Sequence, residues 1–200
     1  MARYKLAPRP RSTESRRPDE SINVRITDGG LLMASTYELI ASQTLESDAA
    51  YIEFTSIPAT AADLYLLLSL RSTTVDTALS LIFTLNGDTT DGNYSQRNLR
   101  GNGSQAISGS TSTRLLGYAP GASMTADTFG NNEIYIPNYA GSTHKSYSTT
   151  YAVENNSMTA FTGAFAALWS NTAPITSIKL EAGANLKSAS SAYLYGISHS

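Results

Sequence analysis

Two leucine-rich runs constrain this chain more than anything else in it. Leu64, Leu66, Leu68 and Leu70 alternate with Tyr65, Leu67, Ser69 and Arg71, and Leu79, Leu81, Phe83 and Leu85 alternate with Ser80, Ile82, Thr84 and Asn86. A period of two places each apolar set on one face of a strand, and two such strands need a second layer to bury against. Ile52 and Phe54 repeat the pattern in a shorter run. Further strand candidates are Glu133–Ile136, Lys145–Val153, Phe161–Trp169, Ile175–Glu181 and Ala192–Ser198, all rich in β-branched and aromatic residues. Phe161 to Leu168 is Ala-rich, and its aromatics at 161 and 165, with Trp169 beyond, fit a helical spacing as well as an alternating one.

Breakers separate these runs: Ile57-Pro58-Ala59, Asn86-Gly87-Asp88, Gly101-Asn102-Gly103, Pro120-Gly121 and Ala140-Gly141. Many short strands punctuated in this way predict an all-β fold, a single β-sandwich or jelly-roll domain. Its core is expected on Ile52, Phe54, the even-numbered leucines of 64–70 and the odd-numbered apolar residues of 79–85. No repeat suggests a solenoid or propeller. With 200 residues and no cysteine, the domain is held by packing rather than disulfides.

Charge is unevenly placed. Residues 1–17 hold Arg3, Lys5, Arg9, Arg11, Arg16 and Arg17 against Glu14 alone, a net of +5. The whole chain carries −2, so the remaining 183 residues carry −7. With Pro8, Pro10 and Pro18 and few large apolar residues, residues 1–28 are expected to be an extended basic arm and 29–200 the β domain. Seventeen extended residues reach roughly 55 Å. The six basic residues are the candidate docking set, and the acidic body favours an acidic protein partner over nucleic acid. No apolar segment is long enough for a membrane helix, and the basic N-terminus lacks the apolar region of a signal peptide.

Sites for chemistry are sparse. The chain has no phosphate-binding loop, nucleophile elbow, zinc-protease motif or dinucleotide fingerprint. Its two histidines, His144 and His199, lie in a turn-like segment and next to the C-terminus. Residues 86–93 bear Asp88 and Asp91 and offer oxygen ligands for calcium, but they lack the spacing of an EF-hand and suit a turn. Glu53, Asp63, Asp88, Asp91, Asp127, Glu133 and Glu154 are the carboxylates from which a glycosidase pair would be drawn. No catalytic residue, metal or cofactor is expected. Twelve tyrosines and one tryptophan stand out in a chain with 15% charged residues. Tyr135, Tyr139, Tyr147, Tyr151 and Trp169 are the candidate platform for a subunit interface or a host glycan; half-buried strand positions are the other use of such residues.

The stretch from about Thr36 to Ser198 resembles a family of tailed-phage structural proteins found in phages of aquatic bacteria. The resemblance rests on ordered motifs. It opens with Tyr37-Glu38-Leu39-Ile40 and Thr44-Leu45, then Tyr51 to Thr60, Asp63-Leu64-Tyr65 and Arg71-Ser72. Asn86-Gly87-Asp88, Asn93-Tyr94-Ser95, Thr125 to Gly130 and Ile134 to Tyr139 follow. Leu168-Trp169, Ile175 to Ile178 and Leu194 to Ile197 close it. Ala61 stands where the pattern leads one to expect an aromatic. The resemblance implies a jelly-roll β-sandwich in a virion, without catalytic residues. From it and the arm, the expected role is a capsid decoration or cement protein that docks on the major capsid protein or another virion component. A homo-oligomer, with a trimer favoured, is also expected. The alternative is a carbohydrate-binding tail or fibre module used in host adhesion.

Overall fold

The computed structural model describes residues 36–154, 156 and 160–198. The basic residues of the arm, its boundary at residue 28 and His199 lie outside the described residues. Among the described residues twelve strands follow in chain order: β1 (Tyr37–Thr44), β2 (Ile52–Phe54), β3 (Asp63–Leu70), β4 (Ala78–Leu85), β5 (Tyr94–Gly101) and β6 (Ala106–Thr111). Then come β7 (Leu115–Pro120), β8 (Gly130–Ile136), β9 (Lys145–Val153), β10 (Phe161–Trp169), β11 (Ile178–Glu181) and β12 (Ser191–Ile197). They form an eight-stranded sheet in the order β1-β12-β3-β8-β9-β10-β5-β6 and a four-stranded sheet in the order β2-β11-β4-β7. Every pairing is antiparallel.

The chain shuttles between sheets from β2 onward, and the order it leaves behind is that of a jelly roll. β2, β11, β4 and β7 occupy the B, I, D and G places of one sheet. Opposite them β3, β5 and β6 occupy C, E and F, and the single H strand is replaced by the meander β8-β9-β10. β12 and β1 extend the large sheet beyond β3.

The expected core is present. Leu64, Leu66, Leu68 and Leu70 of β3 are buried with Ile52 and Phe54 of β2 and Leu81, Phe83 and Leu85 of β4. Leu79 is the exception, half-buried near the start of β4. Phe83 meets Tyr147 of β9 with ring centroids 5.4 Å apart. The segment with two possible spacings, 161–169, is strand β10. It is hydrogen-bonded to β9 on one side and β5 on the other, so its backbone groups are paired along the whole length. Phe165, Ala167 and Trp169 are buried while Ala164 and Ala166 face solvent.

Strands β5, β6 and β7 have no counterpart among the strands expected from sequence. Their Ser, Gly and Asn content masks the alternation. Beneath β9, β10 and β5 lies a smaller apolar cluster of Met124, Tyr151, Val153 and Phe165. Arg100 covers it, its guanidinium 5.3 Å from the Tyr118 ring centroid and 5.1 Å from that of Phe161. Gly163 is needed here: a Cβ would sit 2.4 Å from the Leu99 carbonyl oxygen and 2.6 Å from the Tyr151 hydroxyl.

Buried polar groups close the sandwich by joining segments far apart in sequence. The Arg71 guanidinium donates to the carbonyl oxygens of Met124 (3.1 Å), Thr125 (2.9 Å) and Thr128 (2.7 Å), tying the 124–128 loop to the end of β3. The Lys145 ammonium is buried and donates to the carbonyls of Gly141, Thr143 and Thr172; burial holds its pKa below the ordinary lysine value. The Tyr139 hydroxyl donates to the Pro58 carbonyl. The cation of Arg71 or Lys145 costs much to bury unless its donors are used in this way.

Leu66→Ala and Phe83→Ala should each destabilise the protein by roughly 2–5 kcal/mol, as core truncations do. Urea unfolding followed by circular dichroism measures this, and a loss within experimental error at both positions would contradict the packing described.

Candidate binding face

Side chains opposite each other in a ladder share a face, so the registers define the outer surface of the large sheet. One row reads Leu39 (β1), Tyr195 (β12), Tyr65 (β3), Tyr135 (β8). The next reads Ser42, Tyr193, Leu67, Glu133 and Thr150 of β9. Tyr37 stands opposite Ile197 at the end of β1. Five tyrosines are thus gathered on the β1-β12-β3-β8 half, with Tyr37, Tyr135 and Tyr193 exposed by 53%, 37% and 39%. Scattered exposed apolar residues are ordinary, but a contiguous group of this kind marks an interaction surface.

The rings are held in place. The Tyr65 hydroxyl donates to Glu133 Oε2 at 2.7 Å, and the Tyr135 hydroxyl donates to Asp63 Oδ2 at 2.8 Å. Each bond runs diagonally to the neighbouring strand. A tyrosine standing upright would lift its hydroxyl well above a carboxylate, so both rings lean along the sheet. Tyr37 meets Tyr65 edge-on at 6.0 Å. Burial, and then the hydrogen bond and charge of Glu133, push the Tyr65 hydroxyl up to about 12. The Asp63 hydrogen bond, with burial second, raises that of Tyr135. Both phenols therefore stay protonated donors at neutral pH.

The other half of the face, β9-β10-β5-β6, is floored by small side chains: Ser148, Thr150, Ala152, Ala164 and Ala166 all face solvent. Two shallow hollows cross the surface. One of about 510 Å³ is bounded by Leu67, Ser69, Tyr193 and Tyr195, and one of about 520 Å³ by Thr162, Ala164, Leu99 and Ala106. Asn131 and Glu133 line both, so the two hollows adjoin along β8 and make one trough.

This arrangement corrects the platform expected from sequence. Of Tyr135, Tyr139, Tyr147, Tyr151 and Trp169, only Tyr135 faces solvent; the other four are buried core residues. On β9 the residues Lys145, Tyr147, Thr149, Tyr151 and Val153 all turn inward, because a strand's side chains share a face at every second position. Tyr193 and Tyr195, absent from that set, alternate with Ala192 and Leu194 on β12 and belong to the surface. Their alternation with apolar neighbours is the signal that identifies them.

Residues 86–93 form a turn at Asn86-Gly87 followed by a single 3-10 turn over Asp91–Asn93. Asn86 and Gly87 adopt φ of 49° and 69°, and Asp88 N–H returns to the Leu85 carbonyl at 2.9 Å. The Asp88 carboxylate accepts from Trp169 Nε1 (2.8 Å), Asn93 Nδ2 (2.8 Å) and the Thr90 N–H (3.0 Å). Asp91 instead pairs with Arg114 at 3.0 Å. The two carboxylates serve different partners, and among the described residues no cluster of three or more His, Asp or Glu converges on a metal position. The other carboxylate pair on the candidate face is also divided. Asp63 stands opposite position 137, four residues along β8 from Glu133, roughly 13 Å away at about 3.3 Å per residue. Each carboxylate is taken by its own tyrosine, Glu133 by the Tyr65 hydroxyl and Asp63 by the Tyr135 hydroxyl. His144 is exposed in the β8–β9 loop.

Fold and face together define a β-sandwich with a broad outer sheet surface lined by side chains. The chain matches no family model, no curated protein and no solved structure.

Burial opposes ionisation of Asp88, but the hydrogen bonds from Trp169, Asn93 and Thr90 outweigh it and hold the carboxyl below its ordinary value. With the folded pKa below the unfolded one, this stabilisation is complete at neutral pH and is lost as pH falls through the folded value. Asp88→Ala should cost about 2–3 kcal/mol, leaving the Trp169 N–H without its partner. Asp88→Asn should flatten the decline of stability between neutral and acid pH; urea midpoints equally acid-sensitive in both proteins would contradict this role.

Proposed function

We propose that the protein is a non-enzymatic structural component of a tailed-phage virion, a capsid decoration protein that docks through its basic N-terminal segment. The observation that carries the assembly part of this reading is the condition of strand β6. Sheet edges present unpaired backbone groups, and proteins shield them with charge, proline, bulges or shortness. Edge strand β1 carries Glu38 and a register irregularity between Leu39 and Ala41, β2 has three residues, and β7 ends on Pro120. β6 has none of these devices. Residues 101–113 contain no charged residue, and β6 is exposed from Ala106 to Ser110. Such an edge suits a strand from a neighbouring subunit, which supports a protein that works in an assembly and as a homo-oligomer.

The segregated charge supports the docking part. Six basic residues in the first 17 face a remainder of −7, and several weak ion pairs with an acidic capsid surface add up when subunits are linked. The motifs that carry the family resemblance also make sense together. Arg71 with Thr125 and Thr128, and Asp88 with Asn93 and Trp169, are partners in closing the sandwich, while Asp63 ties Tyr135 and Asn138 to the start of β3. Residues that serve closure fit a structural protein.

Deleting residues 1–28 should leave a folded β body that no longer cosediments with particles, and replacing Arg9, Arg11, Arg16 and Arg17 by Ser should make attachment easier to strip with salt. Full occupancy of particles by the truncated protein would show that docking lies elsewhere. Ser108→Lys with Ser110→Lys on β6 should lower the oligomer mass in sedimentation, since like charges oppose pairing at an edge; an unchanged mass would remove β6 from the interface.

A further inference from the structure

We infer that the trough across the outer face of the eight-stranded sheet is a binding site for a neutral, linear glycan, with Tyr193, Tyr195, Asn131 and Glu133 as its recognition residues. The inference stands on the face alone and does not depend on where the protein sits in a particle.

The shape indicates a polymer. The trough runs across seven strands, from β12 to β6, about 29 Å at ~4.8 Å per strand. It is open and shallow rather than enclosed, and its far half is floored by Ala152, Ala164 and Ala106, which lets a chain lie close to the sheet. The chemistry indicates sugar. The backbone N–H and C=O groups of interior strands are used in the ladders, so an extended peptide lying on the face finds no main-chain partners there and must be held by side chains alone. Those side chains combine ring surfaces with short polar groups. Tyr193 and Tyr195 supply apolar faces for the C–H side of a pyranose, while Glu133, Asn131, Ser69 and Thr150 offer acceptors and donors for hydroxyls.

Charge narrows the class. Glu133 is the carboxylate where the two hollows meet and repels a phosphate- or uronate-bearing polymer at the centre, while Arg100, which lines the far hollow, has its guanidinium engaged over the Tyr118 and Phe161 rings. The Tyr65 hydroxyl fixes the Glu133 carboxylate, which orients its remaining lone pairs before a ligand arrives. Among the described residues Glu133 is the one carboxylate lining the trough, so the second carboxyl group that glycosidic cleavage uses is not in it, and the site is one that holds a glycan.

The test is isothermal titration calorimetry of the full chain with cellohexaose, chitohexaose, maltohexaose and xylohexaose, and with an oligouronate of similar length as the anionic comparison. At least one neutral hexasaccharide should bind, and its monosaccharide should bind at least tenfold more weakly. Tyr193→Ala and Glu133→Ala should each weaken binding tenfold or more with the circular dichroism spectrum unchanged. Tyr51→Ala, at an exposed tyrosine outside the trough beside Lys179, should leave it unaltered. Absence of binding to every neutral hexasaccharide, preferential binding of the oligouronate, or a Tyr193→Ala protein that binds as wild type while its oligomer mass falls would overturn the inference. Because no particle enters the experiment, its failure leaves the proposal of a docking decoration protein standing, and loss of particle attachment leaves this one standing.

Discussion

Everything in this molecule follows from how one apolar sheet face is covered. The eight-stranded sheet presents Leu64, Leu66, Leu68, Leu70, Ile134, Tyr147, Trp169 and Leu194 on one side, and four strands are available to bury them. At roughly 25 cal/mol for each Å² of apolar surface removed from water, that face cannot stay exposed. Among the described residues the opposite face gains no layer, and the side chains it carries meet solvent. The sheet's two sides therefore differ in character: one is packed into the core and the other carries the exposed tyrosines. The uneven strand count has a further result: the large sheet has strands to spare, and among the described residues no strand pairs with the open edge of β6.

Cohesion is completed by polar groups where loops cross the ends of the sandwich. Asp88 joins the turn after β4 to Trp169 at the end of β10, and Tyr94 stacks on that indole at 6.4 Å while its hydroxyl donates to the Asp88 carbonyl. Arg71 and Lys145 do the same with main-chain carbonyls. Burying such groups is costly unless they are hydrogen-bonded, so each of these contacts favours one arrangement of its loop. This accounts for a domain that holds together without disulfides.

Much of this architecture is legible in the residues, and the illegible part has physical reasons. β3, β4 and β9 can be read because buried residues recur at every second position along them, whereas β10, with Phe161, Phe165 and Trp169, fits two spacings until its ladders to β9 and β5 are seen. β6, Ala-Ile-Ser-Gly-Ser-Thr, has no buried face and so no alternation to read. The jelly-roll order depends on which strands meet across the sandwich, information that no single strand carries. The candidate surface was legible in kind and misplaced in detail. Tyr147 and Tyr151 fall in step with Val153, which puts them on the core side of β9, whereas Tyr193 and Tyr195 fall out of step with Ala192 and Leu194, which puts them outside. A tyrosine's phase within its strand decides its role, and a count of tyrosines does not.

The central claim is that division of the aromatic residues between an interior set and a working surface. Tyrosine nitration of the native protein, mapped residue by residue by mass spectrometry, tests it most directly. The account predicts rapid modification of Tyr37, Tyr135 and Tyr193, with Tyr94, Tyr139, Tyr147 and Tyr151 protected until the protein is unfolded. Native-state modification of Tyr139 or Tyr147 at the rate of Tyr193 would contradict it.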